Sequence, residues 1–267
     1  MPEFTAKDVQ ALRQATGAGM MDAKRALEET NGDMEEAAKY LREKGLAASG
    51  KREERANEQG AVAVATSANA GAIVQLRCET DFTAKSEPFK KLAYELAQLV
   101  ADKGEGALDE RKDAIDDLKL ATKENIELGR VVRFEAADGN VLDAYLHTQN
   151  ERGVNGVLVE VSGGEKELAH DIAMHISFGR PAYLTRDEVP AAEVEEERAM
   201  LEATTRNEGK PEQAIPKIVE GKLGGWFKRA PGGVLLEQPY VRDEKQTVEQ
   251  MLGPAKVVRF AQVEVGA

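Results

Sequence analysis

The order of hydrophobic and polar positions divides the chain into a helical N-terminal part and a longer part where strands and helices alternate. From Thr5 to Gly45 apolar residues recur at helical spacing. Thr5 is placed to cap a first helix with Val9 and Leu12 on one face, and Thr16-Gly17-Ala18-Gly19 breaks it. A second helix from Met20 carries Met21 and Leu27 and stops at Asn31-Gly32. Asp33 caps a third, in which Met34, Ala37, Ala38 and Leu41 repeat until Gly45 ends it. A bundle this small has a thin core, so Met20 and Met21 cannot both be buried easily and at least one should be exposed, where a flexible thioether suits a partner-facing patch; the alternative is that both fill gaps in the core. Lys51, Arg52 and Arg55 interleave with Glu53, Glu54 and Glu58, the pattern of a solvated linker rather than a basic patch.

From Gly60 onward the period changes to two and the pattern repeats. Strands are predicted at Ala61–Thr66 and Ala72–Cys78, and again at Val141–His147 and Gly156–Val161. In the second strand Val74, Leu76 and Cys78 alternate with Gln75 and Arg77, as a half-buried strand does, and Gln75 and Glu160 hold the same place in the two copies. A helix follows each hairpin, and Val131-Val132-Arg133-Phe134 returns as Val257-Val258-Arg259-Phe260 to close each copy. Residues 190–208 and 211–229 read as two helices sharing a narrow seam of Val194, Leu201, Ile215, Ile218, Val219 and Leu223, with Trp226 and Phe227 packing at its base. The fold class is α+β: an N-terminal three-helix, ubiquitin-associated-like (UBA-like) bundle over 1–50, a linker over 51–59, and a duplicated core of two small antiparallel-sheet subdomains related by a pseudo-two-fold. The N-subdomain spans 60–139, and the C-subdomain 140–267 contains an antiparallel helical hairpin inserted at about 190–228.

The copies differ where a working tip is expected. The first follows its second strand with Glu79-Thr80-Asp81-Phe82-Thr83-Ala84-Lys85-Ser86, read as a polar loop with Ser86 capping the next helix. Phe82 fits neither flanking pattern and is either a surface aromatic or a cap on the local core. The second copy has only Ser162-Gly163-Gly164 there, but a longer hairpin tip from His147 to Asn155.

Chemistry is sparse. There is no Gly-rich phosphate loop with its Lys, dinucleotide fingerprint, nucleophile elbow or metal-ligand cluster, and His147 has no accompanying nucleophile or paired carboxylate. No catalytic residue, cofactor or bound metal is expected. The lone Cys78 excludes an internal disulfide. A net charge of −12 argues against direct nucleic-acid binding. No apolar run approaches a membrane span, and the N-terminus lacks the layout of a secretory signal, so a cytoplasmic protein with a protein partner is expected.

Three runs carry a resemblance to a known family. Cys78-Glu79-Thr80-Asp81-Phe82-Thr83-Ala84-Lys85 resembles the Thr-Asp-Phe-Val-Ala-Lys signature of the elongation factor Ts family, and Thr16 to Leu27 resembles that family's N-terminal domain. Gly209 to Gly221 is similar to its protruding coiled-coil motif, so the likeness extends over nearly the whole chain. The resemblance implies guanine-nucleotide exchange on elongation factor Tu in translation, not enzymatic catalysis. It implies partner contacts at Thr80, Asp81 and Phe82, at Leu12, Met20 and Met21 in the bundle, and at His147, with Asp81 and Phe82 acting near the partner's Mg²⁺. Thr83 stands where the family commonly has Val, which softens an apolar contact. The sequence stops after the second closing strand, so contacts made by an extra C-terminal helix in some members are expected to be missing. The alternative reading is a UBA-type protein-binding adaptor or chaperone; oligomeric state is left open.

Overall fold

The computed structural model describes residues 4–50 and 54–266, with 46–50 described by backbone alone. Three helices open the chain: α1 (Ala6–Thr16), α2 (Met20–Glu29) and α3 (Met34–Gly50). Thr5 and Asp8 form a reciprocal capping box, and these bonds from Thr5 hold the Asp8 carboxyl below its ordinary pKa. Gly17 closes α1 in the left-handed region at φ 67°. Asp33 Oδ1 accepts the N–H groups of Glu35 and Glu36, each at 2.9 Å. Val9, Leu12, Ala23, Ala26, Leu27 and Ala37 form the bundle's buried core. The predicted stop at Gly45 is wrong, since α3 continues to Gly50. Gly45 is where the helix lies against Leu120, and a Cβ there would overlap the leucine side chain. Lys51, Arg52 and Glu53 of the expected linker lie outside the described residues.

Two three-stranded antiparallel sheets follow. The first has the order β1 (Gln59–Thr66), β2 (Ala70–Cys78), β3 (Glu127–Glu135), and between β2 and β3 the chain passes through α4 (Asp81–Lys85), α5 (Glu87–Lys103) and α6 (Lys112–Thr122). The second begins with β4 (Asn140–Gln149) and β5 (Arg152–Ser162). It continues through α7 (Lys166–Gly179), the hairpin α8 (Ala191–Asn207) and α9 (Ile215–Phe227), the ribbon β6 (Pro239–Tyr240) and β7 (Asp243–Thr247), and α10 (Val248–Leu252). Strand β8 (Lys256–Glu264) then closes the order β4-β5-β8. The sequence pattern anticipated each hairpin and closing strand but not α6, which buries only Ile115.

The sheets pack face to face with a helix on each outer side. Phe89, Leu92, Leu96 and Val100 of α5 cover Val74, Leu76 and Cys78, while Ile172 and Ile176 of α7 cover Val157, Val159 and Val161. Between the sheets, Val62 and Ile73 meet Leu158, Ala261 and Val263. Strand β2 is therefore buried on both faces rather than half-buried. Gln75 and Glu160, the matched polar residues, are 4% and 1% exposed, and each sits at a break in register beside the closing strand. Gln75 donates to the Glu264 carbonyl at 3.0 Å and accepts from Arg130 N–H at 3.1 Å. Burial works against the charge of Glu160, but donors from Asn140, Ala137 and Arg259 more than offset it, holding its pKa below the ordinary value.

The hairpin keeps the narrow seam that the pattern predicts. Ile215, Val219 and Leu223 are buried, and at its base Phe227 packs with Val189 and Val234 while Trp226 stacks edge-on at 5.0 Å.

Candidate functional site

The Thr-Asp-Phe segment is a helical turn, not the polar loop its composition suggested. Thr80 is the N-cap of α4, its Oγ1 accepting the Thr83 N–H at 3.3 Å. Ser86 occupies the N-cap position of α5, but its hydroxyl turns back to donate to the Thr83 carbonyl at 2.8 Å. Thr83 and Ala84 face inward and are buried. Phe82 points the other way and is 83% exposed, which rules out its role as a core cap. Next to it, Asp81 Oδ2 accepts from Lys85 Nζ at 2.5 Å, a bond that holds the Asp81 carboxyl below its usual range.

One carboxylate behind the turn ties it to the body. Glu124 Oε2 accepts the N–H groups of Glu79 at 3.0 Å and Thr80 at 3.1 Å, and Oε1 accepts the hydroxyls of Thr80 and Thr83, both at 2.6 Å. Glu79 reciprocates, its Oε1 accepting Asn125 N–H at 2.7 Å. Sequence reading missed Glu124, because nothing periodic links it to a turn more than forty residues earlier and no signal marks it, since the helix it follows was not anticipated either. Thr83 also reads differently now. Its hydroxyl is spent on Glu124 inside the fold, so it does not soften a partner-facing contact. Cys78, buried where β2 enters the turn, donates its thiol to the Thr80 carbonyl at 3.2 Å, and burial, aided by the Glu124 charge, pushes its pKa up to about 12.

The other predicted contact residues separate. Met20 and Met21 are 45% and 66% exposed at the start of α2. Leu12 is 1% exposed in the bundle core, because α1 turns that face toward Ala23 and Leu27, so its side chain is not offered to a partner. His147 is exposed, but it does not begin a long tip: it pairs with Asn155 in the ladder, and β4 and β5 are joined by a tight turn at Asn150 and Glu151, with φ of 50° and 65°. Arg152, at that turn, donates to the Gly60 carbonyl and to Gln59 Oε1, each at 2.9 Å, and Gln59 pairs with Cys78. The β4–β5 hairpin thus shares one end of the molecule with α4, close enough for the Arg152 charge to act on Asp81. Among the described residues, no group of three or more His, Cys, Asp or Glu could hold a metal ion.

The sequence matches that of known proteins along its whole length. A family model described as Elongation factor TS matches residues 79–267, starting at the first residue of the tip. The chain is 45% identical over 280 residues to Elongation factor Ts of Acidothermus cellulolyticus, covering 100% of this chain and 99% of the relative. It is 43% identical to that of Renibacterium salmoninarum, with both chains fully covered, and 45% identical to that of Mycobacterium tuberculosis, covering 100% and 99%. The chain belongs to the elongation factor Ts family. Membership makes it a translation elongation factor, and the tip described above opens the family's matched region. Among the described residues no helix is long and apolar enough to cross a membrane.

Proposed function

We propose that this protein is a guanine-nucleotide exchange factor for elongation factor Tu, acting in the cytoplasm without cofactor or metal of its own. The observation that carries the proposal is Phe82: an aromatic exposed to 83% on a turn held rigidly from behind. A bare aromatic has a cost in water and fits a role as an anchor in another protein. Phe82 wedges between apolar side chains of the partner, and Asp81 disturbs the polar network around its nucleotide-bound Mg²⁺. Weakening that ion's hold removes the main charge neutralising the phosphates, and GDP leaves. Binding of the factor and of nucleotide then oppose each other by the same factor, so GTP binding releases the factor. Thr80 shapes the turn, Met20, Met21 and His147 add contacts around it, and no contact with nucleic acid or membrane is involved.

The division of labour we propose follows the elements: 1–50 as the bundle that adds affinity, 51–59 as linker, 60–139 as the subdomain bearing the tip, and 140–267 as the subdomain bearing His147 and the hairpin.

The test is release of fluorescent GDP from elongation factor Tu. Wild-type protein is expected to accelerate release catalytically. Phe82→Ala is expected to lose about 2 kcal/mol of interaction, roughly thirtyfold in rate at limiting factor, with an unchanged melting temperature. The adaptor or chaperone reading, which draws on the exposed Met20 and Met21, expects no GDP release, and that result would sink the proposal.

A further inference from the structure

We infer that Glu124 is a positioning residue for exchange, acting through the Asp81-Phe82 turn that it holds in place. The inference rests on the exchange reading above and adds to it a group that need not touch the partner.

Nothing in α4 itself keeps the turn where it is. Five residues make too short a helix to persist in water. Phe82 is bare, and the Asp81–Lys85 pair joins the two ends of α4 to each other, not to the rest of the protein. The attachment comes from Thr83 and Ala84 packing inward and from Glu124. Both oxygens of that carboxylate are filled, each by two donors, and all four donors lie between Glu79 and Thr83. An ionised acceptor makes these bonds stronger than neutral ones. The carboxylate is itself delivered firmly: α6 ends at Thr122, Lys123 takes the left-handed conformation at φ 60°, and Glu124 N–H is accepted by Thr122 Oγ1 at 3.3 Å. A glutamine would keep the shape but not the chemistry, because its NH₂ would face either two backbone N–H groups or two hydroxyls already oriented as donors.

A loosened turn leaves Phe82 present but misplaced. The rest of the contact surface, at Met20, Met21 and His147, is untouched by the change. The loss therefore falls on the exchange step, which needs the wedge in position, more than on recruitment of the partner.

Two measurements test this in the full-length protein. The first does not involve the partner. Cys78 is the only cysteine, is buried, and donates to Thr80, so thiol labelling reports opening of the turn. Glu124→Ala is expected to raise the labelling rate about tenfold or more, as local opening becomes easier, at temperatures where circular dichroism shows the fold intact. An unchanged labelling rate overturns the inference. The second is a double-mutant cycle in GDP release from elongation factor Tu. Glu124→Ala is expected to lower the maximal rate about tenfold while the half-saturating factor concentration moves less than about twofold, with Glu124→Gln in between. In a Phe82→Ala background the same substitution should cost less than about twofold, because its effect passes through Phe82. Full additivity, or a rise in half-saturating concentration at an unchanged maximal rate, overturns the inference. If Glu124→Ala fails to fold, Thr83→Val takes its place, with a loss of about threefold expected from the one hydroxyl bond to Glu124 that it removes. Absence of GDP release by the wild-type protein overturns the exchange reading and the role in exchange with it; labelling, which needs no partner, tells the two failures apart.

Discussion

Leu158 of the second sheet packs against Gly71 of the first: a Cβ on the glycine would come 3.0 Å from the leucine Cδ2, beside Leu142 Cδ2 at 2.8 Å. The contact has a mirror in the duplication. Gly156 occupies the place of Gly71, Ile73 that of Leu158, and a Cβ on Gly156 would come 3.0 Å from Ile73 Cγ2. Each copy thus puts a branched side chain over the other's glycine, the reciprocity expected of copies related by a pseudo-two-fold. Gly71→Val and Gly156→Val are each expected to cost about 1–3 kcal/mol by overpacking the interface. Urea unfolding would measure it, and two silent substitutions would mean that the sheets are not held by this contact.

Asp81 is already paired in the free protein. Its carboxyl pKa is depressed, first by the Lys85 hydrogen bond, so Lys85→Met is expected to return it toward the ordinary value of 3.8, as read from carboxyl chemical shifts across a pH titration. The sign for stability follows: a depressed carboxylate stabilises the fold above its unfolded pKa, and that contribution is lost as pH falls through the folded value. Asp81 is well exposed, so the stability change should be small and confined to acid, while the titration shift should be plain. A wild-type Asp81 titrating at its ordinary value would show that the ion pair does not persist in solution.

The α+β class, the duplication and the hairpin seam were legible because they rest on periodicity, and periodicity is written locally. The misreadings share another cause. Gly45 looked like a helix stop, but its small size serves a contact with Leu120 that only the fold creates. Gln75 looked solvent-facing because a polar residue in an alternating strand usually is; a second sheet covers it. The turn at Thr80 looked like a loop because the carboxylate that completes it, Glu124, comes from a distant helix end. Phe82 could be singled out from sequence as an aromatic outside both patterns, whereas its exposure required knowing that none of the described residues covers its side of α4. Leu12 erred in the opposite sense: the family resemblance implied a contact there, but its helical face belongs to the core.

The proposed boundary between bundle and core has a direct test. Across it the structure has Gly45 against Leu120, Arg42 reaching Asp113 at 2.8 Å, and Lys123 near Asp22 at 3.9 Å. The two ion pairs are exposed and worth little. Deleting residues 1–50 is therefore expected to leave a core that melts cooperatively, and to raise the factor concentration needed for half-maximal GDP release because Met20 and Met21 are gone. A truncated chain without a cooperative melt would move the boundary into the core.

Buried His175 is expected to make stability depend on pH. It is 1% exposed on α7, with Nε2 3.0 Å from Gln238 Oε1 and Nδ1 accepting the Val241 N–H at 3.2 Å. Those partners fix one neutral tautomer, with the proton on Nε2. The Gln238 Nε2 amide in turn sits among the carbonyls of Gly179, Arg229 and Gly232 and shares its two N–H groups among them, so the same network holds the base of the hairpin. Burial lowers the His175 pKa below 6.5, with the Gln238 bond acting the other way. The unfolded chain therefore takes up a proton as pH falls below about 6.5 while the folded protein does not, and the state that binds more protons gains. Stability should be level above that pH and decline below it, down to the lower folded pKa. Melting temperatures between about pH 5.5 and 7.5 should show the slope, and His175→Gln should flatten it even though it lowers stability throughout. The difference between the two slopes is what belongs to His175, because His147 and His170 remain in both proteins. An equal slope in wild type and variant would mean that the buried ring is not what titrates.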